Sequence, residues 1–261
     1  MVRLSPMTVW SLVRELRIAA EDTRPLVVSG PLAAQLEKEL SRGAMPGAVR
    51  VDGRPEEGSC LIRILGGAPT EEDEQVLRAA KRAKVPVVVV QTGTEAFDVP
   101  YVLATDVVMC RPGAGFPVEE IVAVVAGRLG EAGTGLAAKL PVLREPLSKQ
   151  LTESFARKNG ILGVAIFVPG ADFPVLTLNQ VRLVLRIAAA HGVEVDQQRL
   201  PEVLTTIGAG FGFRAVARQL LATVPVAGWV VKGGIAYGGT RALGEAAQRY
   251  FQSTTRDTAA A

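Results

Sequence analysis

The residues of this 261-residue chain with the best placement for chemistry lie at the end of its first strand-like run. Leu26 to Val28 meet Ser29-Gly30-Pro31 and then a helix-like segment to Leu40, the local layout that cradles a phosphate in many nucleotide-binding folds. A phosphate loop needs G-x-x-x-x-G-K-[ST]: the glycines let backbone N–H groups surround the phosphates, the lysine meets the outer groups, and the hydroxyl holds magnesium. Counted from Gly30, those stations fall on Gln35, Leu36 and Glu37, and Glu37 would turn a negative charge toward a polyanion. A GTPase would also place an Asp just before a Gly after Cys60 to Leu65, where the chain has Gly66-Gly67-Ala68-Pro69. It would place Asn-Lys-x-Asp after Val85 to Val90, where the chain has Gln91-Thr92-Gly93-Thr94. The mouth of the first strand is therefore expected to offer neither a cation nor a run of amides, and the layout without its ligands reads as a scaffold.

Other chemistry is thinly supplied. The one histidine, His191, precedes Gly192 at a predicted helix end, where it reads as a cap; without a visible Ser, Cys or second His beside it, neither a hydrolytic triad nor a metal site is predicted. Cys60 and Cys110 sit in or beside apolar β-type runs and read as buried free thiols of a reducing compartment. No cofactor is expected. The loops at 66–69, 91–95 and 111–115 lie near strand C-termini, where open α/β sheets bind small ligands; turn chemistry accounts for their glycines, and a ligand sensor or enzyme using them is the alternative.

The elements that would position these residues alternate. Short strands at 26–28, 48–51, 60–65, 85–90 and within 101–109 are separated by helices at about 33–41, 70–83 and from Pro117, which predicts a doubly wound, mostly parallel sheet. Thr70 is the expected N-cap of the second helix, with Glu71, Glu72, Asp73 and Glu74 in the first turn, where the helix dipole favours negative charge. Ahead of the sheet, residues 7–20 have the spacing of an amphipathic helix, which packs on the sheet or lies on a membrane surface. Arg14, Glu15 and Arg17 interrupt any export signal there, so the expected location is cytoplasmic, with the inner membrane as the alternative surface. Gly130 to Gly135 reads as the linker that closes an α/β domain over residues 1–135.

Beyond it the pattern is all helical, with helices near 138–158, 174–191, 199–222 and 228–252 in a second domain over 136–252, and a disordered tail over 253–261. Gly234, Gly238, Ala242 and Ala246 recur every four residues and predict a smooth ridge on which a second helix packs, with Gly208 and Gly212 as its candidate partner. Asp172, Arg182 and Arg186 are the candidate polar cluster, read either as a structural salt bridge or as an interaction site. The apolar stretch 160–178 is broken by Pro169-Gly170, Asp172 and Pro174, so a buried or membrane-resting bundle is expected instead of a span. Residues 136–261 hold 14 lysines and arginines against 8 aspartates and glutamates, a charge of +6, while the front half carries −3. Such a split serves intramolecular docking, an acidic partner or an anionic lipid surface. Nucleic acid is not an expected partner.

The segments VPGADFPVLTLNQVRLVLRIAAAHG (168–192) and LPEVLTTIGAGFGFRAVARQLLATVPVAGWVVKGGIAYGGTRALGEAAQRYF (200–251) resemble the bacterial helical family called domain of unknown function 697, which includes YcjF-like proteins. Pro-Gly-Ala-Asp, the Gln-Val-Arg helix, Gly-Phe-Arg and Thr-Arg-Ala-hydrophobic-Gly occur in order. That family is often fused to or found with Era-like GTPase domains. The resemblance therefore implies a front half that is a degenerate GTPase-like α/β domain and a back half that associates with GTPases and membranes, and it carries no catalytic residues over. The resulting expectation is a non-catalytic interaction or regulatory module with a protein partner, a GTPase by this resemblance; a homo-oligomer is left open.

Overall fold

The computed structural model describes Arg14 and residues 24–165, 173–193 and 229–260. The predicted amphipathic helix at 7–20 lies outside these residues except for Arg14, which is helical and exposed. The predicted helix at 199–222, with Gly208 and Gly212, and Asp172 lie outside them as well. The chain forms two compact units, Ala20–Leu147 and a second one from Ser148 onward.

The first unit is an α/β layer built on five parallel strands in the order β2-β1-β3-β4-β5. They are β1 (Leu26–Ser29), β2 (Val49–Val51), β3 (Cys60–Leu65), β4 (Val87–Gln91) and β5 (Val107–Met109). The central strands are buried on both faces, as a parallel sheet covered by helices requires, and this is why Leu26 to Val28 and Val87 to Val90 are unbroken apolar runs. Helices α1 (Ala33–Leu40), α2 (Glu71–Arg82) and α3 (Val118–Leu129) follow strands. Helix α1 buries Ala33, Leu36 and Leu40, and α2 lays Leu77 and Ala80 on a core that includes Val27, Leu61, Leu65 and Val89. Thr70 caps α2 as its sequence suggested, and Asp73 completes a reciprocal capping box.

Residues 130–135, expected as a linker, are helical: a 3-10 turn over Gly130–Gly133 runs into α4 (Thr134–Lys139). Thr134 and Ala137 are fully buried and Leu136 nearly so, so the apolar content of this segment belongs to the core instead of to a hinge. Val118–Lys139, taken together, is the one stretch among the described residues long and apolar enough to cross a membrane by length and composition. Its apolar side, Ile121, Val122, Val125, Ala126 and Leu129, is already buried within the unit.

Helix α5 (Pro141–Ala165) leads into the second unit, where α6 (Phe173–Ala190) and α7 (Trp229–Ala260) supply the other described helices. The end of α6 is a Schellman-type stop: Val193 N–H bonds to Ala188 O and Gly192 N–H to Ala189 O, with Gly192 at φ 77°. Helix α7 continues to Ala260, through residues expected as a disordered tail.

Candidate functional site

In a sheet of order 2-1-3-4-5 the chain reverses direction between β1 and β3, and the crevice at the C-terminal ends of those strands is where open α/β folds bind ligands. A cavity of about 430 Å³ lies there, lined by Pro31 from the loop after β1 and by Arg63 to Ala68, Thr70 and Asp73 from β3 and the start of α2. The loop at 66–68 thus borders a cavity, whose lining includes neither 91–95 nor 111–115. The first of those two loops is clamped by Gln91, whose side-chain amide donates to Phe97 O at 2.7 Å and accepts from Phe97 N–H at 3.1 Å. The Cys110 thiol holds the other through Gly115 O at 3.1 Å.

The loop after β1 has the layout of a phosphate cradle but not its shape. Helix α1 begins at Ala33, only three residues after Gly30. Gly30 takes φ 100°, and a Cβ there would run into the Ile64 carbonyl, so the loop backbone at Gly30 is pressed onto β3. Leu32 stands at the N-cap in the left-handed region at φ 62°, and no side chain caps the helix. The stations at 35–37 fall in the body of α1: Leu36 is in the core, and the Glu37 carboxylate accepts from Ser41 Oγ at 2.8 Å.

The mouth is not without a cation. Arg63 stands in register beside Ser29 in the middle of the sheet, and its alternation with Leu61 and Leu65 turns it to the face that α2 covers. Its Nε and Nη2 reach Asp73 Oδ1 at 2.8 and 2.7 Å, and Nη1 donates to Ser29 Oγ at 3.2 Å. Asp73 Oδ2 accepts from Thr70 N–H at 2.8 Å and from Thr70 Oγ1 at 2.7 Å. Arg63 is 8% and Asp73 6% exposed, so this is a buried ion pair with every carboxylate oxygen bonded. Burial alone would raise the Asp73 pKa, but the hydroxyl and amide of Thr70 and the Arg63 guanidinium together hold it below the ordinary aspartate value. Each half of this pair stands out in the sequence, a lone arginine inside the apolar run CLIRIL and an aspartate in Thr70-x-x-Asp73, but their spacing does not join them.

Neither thiol is equipped for chemistry. Burial pushes the Cys60 pKa up to about 12 and raises that of Cys110, so both are protonated at neutral pH. Among the described residues, no group of three or more His, Cys, Asp and Glu side chains is placed to hold a metal ion.

In the helical unit several polar groups are buried between helices. Asn159 of α5, fully buried, donates to Thr240 Oγ1 of α7 at 2.8 Å and accepts from Asn179 of α6 at 2.8 Å. The Gln180 amide reaches the same Thr240 oxygen at 3.3 Å. A network satisfied on three helices fixes their register more than it adds stability. His191 is buried as well as terminal: its Nε2 lies 3.4 Å from Ser148 Oγ, and its ring stacks on Phe251 with centroids 6.4 Å apart. Ser148 is fully buried, so the Ser–His contact has no opening for a substrate. Of the predicted polar cluster, Arg182 is half-buried and Arg186 buried on α6.

On α7 the close contacts among the described residues fall beside the predicted ridge, whose candidate partner with Gly208 and Gly212 lies outside them. Gly234, Gly238 and Ala242 are exposed, Ala246 is buried, and among the described residues nothing lies within 4 Å of a Cβ placed at Gly234 or Gly238. The close approach is made by Gly233, where a Cβ would come within 2.9 Å of Gly160 O and 2.5 Å of Val164 Cγ2, and by Gly244, where it would strike Thr152.

No family model matches the chain, and no curated protein matches it.

Proposed function

We propose that the protein is a non-catalytic interaction module whose α/β unit is a closed scaffold related in layout to nucleotide-binding sheets. The observation that carries this reading is the mouth of β1: a three-residue loop pressed onto Ile64 O, beside an arginine whose charge is spent on Asp73. A triphosphate brought to this point would find no loop to wrap it and would meet Asp73, with Glu71, Glu72 and Glu74 on the same helix turn. The resemblance to domain of unknown function 697 implies a GTPase as the kind of partner. Calorimetric titration of the full chain with magnesium GTP and magnesium ATP tests the reading. The expected result is no saturable heat, and magnesium-dependent binding of either nucleotide overturns it.

A second reading is peripheral contact with an anionic bilayer, favoured by the +6 charge of residues 136–261 beside the apolar stretch Val118–Lys139, which meets the length and composition of a span. The apolar side of that stretch is engaged in the core, so contact would be electrostatic, at about 1 kcal/mol for each lysine or arginine brought to the surface. Flotation with phosphatidylserine-containing vesicles is then expected at low ionic strength and is lost as salt is raised. Failure to float at low salt removes the membrane from this reading.

A further inference from the structure

The face of α2 turned away from the sheet carries its charges in an order that complements its own reverse. At about 100° per residue, Glu71, Glu74, Gln75, Arg78, Lys81 and Arg82 fall within about 120° of one another around the axis. All are exposed except Glu74, which is half-buried. Acids stand at the N-terminal end of this stripe and cations at the other, and residues 75–94 hold four cations and no acid. Within the chain these charges are little used. Arg78 lies 3.9 Å from Glu74, and Glu71, Lys81 and Arg82 make no ion pair among the described residues. The helix dipole favours this order but does not account for what lies beside it. Parallel strands are usually joined through a helix; from β4 to β5 the chain crosses through the strap 92–106, whose helical part is a 3-10 turn at Ala104–Asp106. Val99 and Val102 of the strap pack on Leu65, Leu77 and Val89. Tyr101 between them is 46% exposed at φ 68°, a conformation that bulky residues rarely take. The Arg78 guanidinium carbon and Lys81 Nζ stand over its ring, 5.7 and 5.0 Å from the centroid. Leu103, two residues on, is 61% exposed.

From this juxtaposition we infer that α2 and Tyr101 form a homodimer interface, in which α2 of one copy pairs antiparallel with α2 of a second about a two-fold axis. Reversing the helix about its midpoint sets Glu71 opposite Arg82 and Gln75 opposite Arg78 of the second copy, and brings Glu74 within one turn of Lys81; the symmetry makes each contact twice. Exposed ion pairs alone hold little. Tyr101, on the Lys81 side of each helix, supplies the apolar contact, and an aromatic ring with an arginine beside it is the composition found at interface centres. A second copy is the occupant that fits because the chain presents both charge patterns at matching spacing. An anionic membrane or an unrelated acidic segment would use the cations and be repelled by Glu71 and Glu74 on the same face. One helix and one strap from each copy make a small interface, so the dimer is weak and salt-sensitive. None of this depends on the closed mouth of β1.

The test is sedimentation equilibrium of the full chain. The native protein should dimerise reversibly at low salt with a dissociation constant on the order of 10 µM, and about tenfold more weakly in about 0.5 M sodium chloride. Glu71→Lys with Glu74→Lys, and Lys81→Glu with Arg82→Glu, should each be monomeric, because like charges then face one another across the axis. Mixed in equal amounts, the two variants should dimerise again, since each supplies the sign that the other lacks. Should either double variant not fold, Glu71→Lys and Arg82→Glu alone repeat the mixing experiment. A native chain that stays monomeric at low salt, variants that dimerise by themselves, or a mixture that stays monomeric overturns the inference. Binding of phosphatidylserine vesicles by a monomeric native chain, lost in Lys81→Glu with Arg82→Glu, would overturn it in favour of a membrane.

Discussion

Arg63→Met should lower the stability of the α/β unit by about 3–5 kcal/mol in urea unfolding, the cost of breaking a buried pair and leaving one charge behind. The size follows from what remains. Methionine fills most of the arginine's volume, so little of the loss is a cavity, but Asp73 Oδ1 keeps its burial and loses both of its donors. Arg63→Met with Asp73→Asn should therefore be more stable than Arg63→Met alone, because no uncompensated charge is buried; a double variant as weak as the single one would show that packing, not charge, holds β3 to α2. Acid should act in the same direction. The Asp73 pKa lies below its unfolded value, so its contribution is complete above that value and disappears as pH falls through the lower folded one, below about pH 4. Arg63→Met removes part of what depresses the pKa and should flatten the loss of stability in that window.

The same pair shows what could be read from the sequence. Strands β1 and β3 and helix α2 were legible because each carries its own signal: continuous β-branched or apolar runs, and a Thr N-cap ahead of four acidic residues. Parallel order followed from the alternation of strands and helices. The partner of Arg63 was not legible, since two residues ten apart meet only once β3 and α2 have docked, and the strand was read for its apolar residues alone. The mouth of β1 consequently looked empty of cations when it holds one that is neutralised. Residues 130–135 misled for a different reason. Three glycines in six residues usually mark a break, but here they are helical, and Gly133 packs so closely on Leu129 and Leu147 that a Cβ would sit 2.9 Å from Leu129 Cβ. Composition reports backbone freedom and cannot tell a hinge from a close contact.

The ridge on α7 shows the same ambiguity at the scale of a single residue, and it leads to a prediction of opposite signs on one helix. Small residues occur on adjacent faces, at 233, 236 and 244 and at 234, 238 and 242, and neighbouring positions differ by only about 100° around the axis. Spacing alone selects the second set; burial selects the first. Gly244→Ala should destabilise the helical unit by about 1–3 kcal/mol, because the new methyl lands on Thr152, a buried side chain whose hydroxyl has no hydrogen-bond partner among the described residues. Gly238→Ala should stabilise it by about 0.5–1 kcal/mol, because the position is helical, exposed and without a close neighbour among the described residues, so the substitution only removes unfolded-state entropy. Chemical denaturation of the two variants side by side decides the matter. The reverse ranking would place the helix contact on the Gly234, Gly238 and Ala242 face, and would mean that α7 is rotated by about one residue from the packing described above.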